Sequence, residues 1–276
     1  MIRRLKYLSL LLGPLVVALV PLLLLAQPPL FNYAPGARQA TRQVSGVQAP
    51  TSVRGGAAFS PTDIAGLQLW LDASQIAGLN DGDAVATWND ASGNANNATQ
   101  GTASARPLYK VNIKNGKPAL LFDGVDDGFT LTTGLNLSAY TVFVVLAQTD
   151  AVNGSVSFIK AGDPYNYHSL TPTAVHHQPG GLTVMSTYAT ATVAGDWAMT
   201  EAYRSGTTLY IGKNGTFDAG QASSINWQTD LIGAPYNGGA QYNMVGYIAE
   251  MLVYDSGLVA GDRQLVEAYL IAKYGL

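Results

Sequence analysis

The chain has 276 residues and a formal net charge of −3, with 15 Lys and Arg against 18 Asp and Glu. Residues 1–58 hold Arg3, Arg4, Lys6, Arg38, Arg42 and Arg54 and no acid, so the remainder sets nine basic side chains against all 18 acids. An acidic body with Lys and Arg scattered singly lacks the basic stripe that phosphate-backbone binding needs, which excludes nucleic acid as the expected partner; with no cysteine there is also no disulfide framework, thiol nucleophile or thiolate metal site.

Arg3, Arg4 and Lys6 precede an uncharged run from Tyr7 to Ala26 rich in Leu and Val, the layout of an export signal or a membrane anchor. At about 1.5 Å per residue the run just spans a bilayer core. Pro14 and Pro21 weaken a continuous helix, whereas Leu25-Ala26-Gln27-Pro28-Pro29 offers no small-x-small cleavage pattern. Residues 1–26 therefore read either as a cleaved signal peptide or as a retained anchor, and the only membrane contact expected is through residues 7–26. Both readings place the chain outside the cell or on its surface, and export without cysteine points to a bacterium. Residues 27–60, rich in Pro, Gly, Ser, Thr, Ala and Gln, read as a flexible linker.

Residues 61–276 read as one folded domain. Only 12% of the chain is charged, while Gly numbers 30 and Tyr 15, a composition of turns and strands. Leu67, Leu69 and Leu71 alternate with Gln68, Trp70 and Asp72; Pro118 to Phe122 ends in Asp123-Gly124, and Phe129 to Leu131 follows Asp127-Gly128. Tyr140 to Ala147 is a continuous β-branched and aromatic run. Ser155 to Ile159, Trp197 to Tyr203, Leu209 to Ile211 before Lys213-Asn214-Gly215, Leu231 to Ile232 and Met244 to Tyr254 complete the set. Short strands between Gly, Asn and Asp pairs predict an all-β antiparallel sandwich. Ser169 to Gly181, with Pro172, Pro179 and a Gly pair, reads as a loop. Over Asp262 to Tyr274 the apolar residues Leu265, Val266, Tyr269, Leu270 and Tyr274 recur at helical spacing, with Gly275 just beyond, which predicts one C-terminal helix whose Gln264, Glu267 and Lys273 face solvent.

Several pieces in this order carry a resemblance: Leu67-Gln68-Leu69-Trp70-Leu71-Asp72, Asp81-Gly82-Asp83 through Trp88, Phe122-Asp123-Gly124 with Asp126-Asp127, Leu209 to Gly215, and Gly246 to Asp255. Together they resemble the LamG-like jelly-roll domains of the concanavalin A-like lectin/glucanase superfamily, over about residues 65–276. The resemblance implies a two-sheet jelly roll that binds glycans or proteins outside a cell, in a superfamily that also holds hydrolases, lyases and structural modules.

A glucanase on such a fold sets acidic residues at alternating positions of one strand. The chain has three Glu: Glu267 on the helix, Glu201 beside Met199 and Tyr203, and Glu250 beside Ile248 and Leu252. The acidic signature is missing, as are a Gly-x-Ser-x-Gly elbow and a His pair at helical metal spacing. His168, His176 and His177 with Tyr165 and Tyr167 could serve a lyase or could be plain loop residues. The expected function is therefore a non-catalytic binding module, with a structural subunit of an adhesive layer or filament, formed by self-assembly, as the alternative and a glycan-degrading enzyme behind both.

Asp90-Ala91-Ser92-Gly93-Asn94-Ala95-Asn96 sets oxygen-bearing side chains at every second position, a spacing that can turn them toward calcium. Asp90, Ser92, Asn94 and Asn96, completed by Asp72, form the candidate metal site; the same residues also suit a tight turn for backbone reasons alone. Asp123, Asp126 and Asp127 pose the same choice. For a glycan the sought surface is an aromatic ring beside amides or carboxylates, which Trp227, Tyr236 with Asn237, Tyr242, and Tyr165 with His168 offer in expected loops.

Overall fold

A computed structural model of the chain describes residues 58–149, 155–181, 185–187, 193–233 and 243–276. The apolar run 7–26, most of the spacer, and Tyr236, Asn237 and Tyr242 lie outside these residues. The strands are, in chain order, β1 (Leu67–Asp72), β2 (Thr87–Trp88), β3 (Ala98–Thr99), β4 (Leu108–Lys114), β5 (Lys117–Asp123), β6 (Phe129–Leu137), β7 (Tyr140–Gln148), β8 (Ser155–Lys160), β9 (Asp163–Leu170), β10 (Ala174–Gln178), β11 (Met185–Thr187), β12 (Trp197–Ser205), β13 (Thr208–Lys213), β14 (Thr216–Phe217), β15 (Gln221–Ala222), β16 (Trp227–Ile232) and β17 (Val245–Tyr254), followed by helix α1 (Ala260–Tyr274).

They form two antiparallel sheets. Sheet A runs β14-β13-β12-β7-β17-β5-β4, with β15 on β13; β5 takes the first half of one edge of β17 and β1 the second half. Sheet B runs β11-β10-β9-β8-β16-β6-β3-β2. The expected two-sheet jelly-roll-like sandwich with one C-terminal helix is the observed architecture.

The burial of each strand follows from what lies on its two faces. The core between the sheets holds Leu69, Leu71, Trp88, Val142, Val144, Phe158, Trp227 and Met251. A second apolar layer lies between the outer face of sheet A and α1, built from Phe143, Val145, Met199, Leu252, Tyr254, Val266 and Leu270. Sheet A is thus covered twice, and β7 is buried at every residue, which is why Tyr140 to Ala147 is a continuous apolar run rather than an alternating one. In sheet B, β6 and β16 alternate between buried and more exposed residues near their starts, whereas β8 is buried at every residue but its last.

Local signals act where the backbone demands them. Asn214 and Gly215 take φ of 50° and 77°, so the β13–β14 hairpin uses the left-handed pair that Asn-Gly favours. Gly275 closes α1 at φ 64°, its N–H donating to Ile271 O. Two expectations for this region need correction. Ser169 to Gly181 is not a loop throughout, because β10 occupies its middle. Glu267 and Lys273 do not face solvent: Lys273 is drawn beneath the helix by the buried carboxylates of Asp72 and Glu250, and Glu267 is buried in an ion pair with Arg263.

Candidate functional site

Among the described residues no helix covers the outer face of sheet B, although Ile159 and Gln178 on that face are buried. Its composition follows from register. His168 and His177 are opposite one another and point into the core, so their neighbours Tyr167 and Gln178, also paired, lie on the other face, Tyr167 half-buried and Gln178 buried. His176 does likewise. On β16 Trp227 points inward and Gln228, paired with Asn136, outward. The face therefore presents Tyr165, Tyr167, His176, Gln228 and Asn136, with the ion pair Lys160–Asp230 between them. From β10 to β6 there are four interstrand gaps, a width of roughly 19 Å. Tyr165, 57% exposed, is held by its neighbour: Asn166 is buried, its amide oxygen accepting from Gly180 N–H and Gln228 N–H.

Beneath this face His168 and His177 are fully buried, which corrects the placement of His168 in an exposed ligand loop. Their Nδ1 atoms lie 3.1 Å apart. His177 Nε2 is 2.9 Å from the Tyr140 hydroxyl and His168 Nε2 is 2.9 Å from Thr200 Oγ1, so the pair ties sheet B to sheet A. One arrangement of protons gives each an acceptor: Tyr140 O–H to His177 Nε2, His177 Nδ1–H to His168 Nδ1, His168 Nε2–H to Thr200 Oγ1, and Thr200 O–H to Val144 O. Both rings are neutral in that chain. Burial pulls the basicity of His168 down to about 3, aided by the nearby His176, and holds His177 well below its ordinary value.

Trp227 is likewise removed from the list of ligand contacts. It is fully buried among Phe158, Tyr140 and His177, at ring-centroid distances of 5.5, 5.4 and 5.3 Å. The Asn226-Trp227-Gln228 stretch reads as a loop in the sequence, yet Trp227 opens a strand whose alternation sends the indole inward and the Gln228 amide outward.

The structure brings the five predicted metal residues into one region but engages their oxygens elsewhere. Asp90 Oδ1 accepts from Trp70 N and Ser92 N, and Oδ2 from Ser92 Oγ and Asn96 N. Asp72 Oδ1 accepts from Ser74 N and Oγ, while Oδ2 receives Lys273 Nζ at 2.7 Å and Gln75 Nε2 at 3.2 Å. Asn96 Oδ1 accepts from Thr133 N, and Asn94 donates to Leu67 O. Each carboxylate already accepts four hydrogen bonds, the number its lone pairs allow. The oxygens therefore organise the turn, as the backbone reading of the sequence proposed, and an ion here would have to displace them. Asp72 and Asp90 also line a cavity of about 130 Å³ with Gln75, Ile76, Trp88, Asn89 and Ala91.

The two strand glutamates lie on the outer face of sheet A, Glu250 directly opposite Asp72 in the β1–β17 register. Glu201 on β12 and Glu250 on β17 are separated by β7 and both lie beneath α1. Glu250 accepts from Trp70 Nε1, Tyr269 O–H, Tyr274 O–H and Lys273 Nζ at 2.7 to 3.0 Å. Burial and the Asp72 charge raise its pKa and so disfavour its ionised form, opposed by Lys273 and Trp70. Burial pushes Glu201 well above the usual carboxylate range; the Gly215 N–H opposes this and the Glu267 charge adds to it. Arg263 covers this end, its guanidinium 4.4 Å from the Tyr203 ring centre and 4.8 Å from that of Phe217.

No protein-family model matches the chain, and no curated protein matches it. Among solved structures, domain 4 of AbnA, a GH43 extracellular arabinanase from Geobacillus stearothermophilus solved with arabinotriose, is 16% identical, covers 73% of this chain and 97% of its own, and superposes with a TM-score of 0.53. Trypanosoma rangeli sialidase in complex with sialic acid is 13% identical with a TM-score of 0.50; the match covers 74% of this chain and 33% of that one, so this chain spans about a third of the sialidase. The CBM40 of Ruminococcus gnavus IT-sialidase bound to α2,3-sialyllactose matches at 16% identity over 47% of this chain with a TM-score of 0.38, a likeness too partial to build on. At such identities what is shared is the fold, a jelly-roll-like β-sandwich.

Proposed function

We propose that the chain is an exported, non-catalytic binding module of the LamG-like kind, which takes a glycan at the cell surface on the outer face of sheet B. The observation that carries this reading is the contrast between the two sheets. The outer face of sheet A is apolar and roofed by α1, whereas that of sheet B presents Tyr165, Tyr167, His176, Gln228 and Asn136. Tyrosine rings suit the apolar faces of sugars, and amides suit their hydroxyl rims. A sandwich of this fold can hold a neutral oligosaccharide, since domain 4 of the arabinanase was solved with arabinotriose. The reading is non-catalytic because Glu201 and Glu250 are buried beneath a helix rather than converging in a groove.

Glycan-array binding by the whole chain tests this, read beside the Tyr165→Ala and Gln228→Ala variants. Each should weaken retention roughly tenfold, about 1.4 kcal/mol, at unchanged melting temperature. Binding that survives both substitutions would move the site off this face. Silence across the array would redirect the reading toward a surface protein as partner.

A further inference from the structure

Asp72 ends β1 opposite Glu250 of β17, and Lys273 reaches both from the last turn of α1. Its Nζ lies 2.7 Å from Asp72 Oδ2 and 2.7 Å from Glu250 Oε2, so one amine meets two carboxyl groups. All three are withdrawn from water: Asp72 and Glu250 are buried, and only 11% of the Lys273 side chain is exposed. Aromatic residues enclose them. Trp70 Nε1 and the Tyr269 and Tyr274 hydroxyls donate to Glu250, and Lys273 Nζ lies 5.3 Å from the centre of each tyrosine ring.

The two oxygens of Asp72 are held differently. Because Asp72 caps the short helical turn Ala73–Gln75, its Oδ1 accepts from Ser74 N at 2.8 Å and from Ser74 Oγ at 2.7 Å. Oδ2 is turned to Lys273, with Gln75 Nε2 at 3.2 Å. Two donors aimed at Oδ1 would stabilise negative charge developing there, which leaves Oδ2 as the oxygen able to depart.

We propose that Lys273 Nζ condenses with the Asp72 carboxyl to form an intramolecular isopeptide bond, with Glu250 as the proton carrier. Out of water, a proton passes from Nζ to Oδ2, because a neutral amine and acid lose less solvation than an ion pair. The freed lone pair of Nζ attacks Cγ, and Oδ1 takes up the negative charge opposite the Ser74 donors. Glu250 Oε2 removes a proton from Nζ and passes it to Oδ2. The Cγ–Oδ2 bond then breaks, one water leaves, and Nζ keeps a single hydrogen as an amide. Nothing is oxidised or reduced, and Glu250 ends as it began. Burial raises its affinity for a proton, which suits a carrier. Fixed partners of this kind reach effective concentrations of roughly 10⁵–10⁸ M, which offsets the unfavourable condensation of free amine and acid in water. Until the bond forms, the ion pair fastens the helix; afterwards the last helix is covalently joined to the first strand, between residues 201 apart in sequence.

The test is the mass of the purified whole chain and its tryptic map. The mass should be lower by one water than the residues sum to, and trypsin should yield a branched peptide joining the stretches around Asp72 and Lys273, since a modified Lys273 is no longer cut. Lys273→Arg keeps the charge but should show the full mass, as should Glu250→Gln wherever its melting curve shows it folded. Ser74 is exposed, so Ser74→Ala should fold, and it should cross-link roughly tenfold more slowly or less completely. A wild-type chain of full mass would overturn the proposal. So would a lost water that maps elsewhere, as to a cyclised Asp-Gly pair, or a branched peptide that persists undiminished in Glu250→Gln and Ser74→Ala. Glycan binding on sheet B is a separate readout and stands or falls alone.

Discussion

His168 and His177 are held neutral between the sheets, and Glu201 is held back from ionising beneath the helix, so these sites pull stability in opposite directions as pH changes. Below pH 6.5 the unfolded histidines take up protons that the buried pair refuses, and stability falls with pH by about 1.4 kcal/mol per unit for each ring. For Glu201 the sign reverses. Above about pH 4.5 the unfolded carboxyl releases its proton while the folded one keeps it, so stability falls as pH rises. Glu201→Gln isolates the carboxyl. Its amide oxygen can still accept from Gly215 N–H, and its NH₂ supplies a donor toward Glu267. We expect the variant to melt above wild type at pH 7.5, with the advantage shrinking to nothing by pH 4.5. An equal offset at both pH values would mean that Glu201 is ionised in the fold. The same variant, melted from pH 7 to pH 5, should expose the histidine slope, and a flat profile would mean that the two imidazoles can charge where they are.

At the scale of elements, α1 is fastened by charge as well as by apolar packing. Lys273 Nζ sits 2.7 Å from both Asp72 and Glu250, with 11% of its side chain exposed. Lys273→Met would keep the alkyl stem and strand two buried carboxylates without a cation. Breaking a buried pair in this way costs about 3–5 kcal/mol, so chemical denaturation should report a loss of at least about 3 kcal/mol; a loss under 1 kcal/mol would show that hydration already screens the cluster. The helix was legible from apolar spacing and Gly275, and the same period sets Lys273 at i+7 from Val266, i+4 from Tyr269 and i+3 from Leu270, on the inward face; the fastening was missed because a charged side chain reads as solvated. The available signal lay in β17: Glu250 stands in a run apolar on both faces, and a buried carboxylate there needs a cation. The missed β10 has a similar cause. Two adjacent histidines flanked by Pro172 and Pro179 look like loop chemistry until one sees that one ring faces in and the other out, the alternation of any strand. Trp227 and Gln228 obey the same rule. As for the predicted calcium residues, oxygen-rich spacing is shared by metal loops and tight turns, and only the partners of each oxygen tell them apart.

At the scale of the whole molecule, strength is unevenly distributed. β7 lies between β12 and β17 with both faces covered, whereas β2, β3, β14 and β15 are two-residue strands at or near the margins. Native-state hydrogen exchange should therefore find its slowest amides in β7, β12 and β17 and its fastest strand amides in those short pieces. Uniform protection across both sheets would contradict this ordering. The double cover of β7 and β17 in sheet A was readable in advance from their continuous apolar runs, whereas the alternation of β1 in the same sheet and the burial of β8 in sheet B were not tied to either sheet by pattern.

The polypeptide enters this body at Phe59, whose ring packs 5.9 Å from Tyr269 of α1, and the Tyr254 hydroxyl binds Pro61 O nearby. The peptide that leads into the described residues therefore joins them on the roofed side, two sheets away from the face bearing Tyr165 and Gln228. A force applied between that peptide and the outer face of sheet B would load the sandwich across its thickness, through the Tyr140–His177–His168–Thr200 chain that links the two sheets.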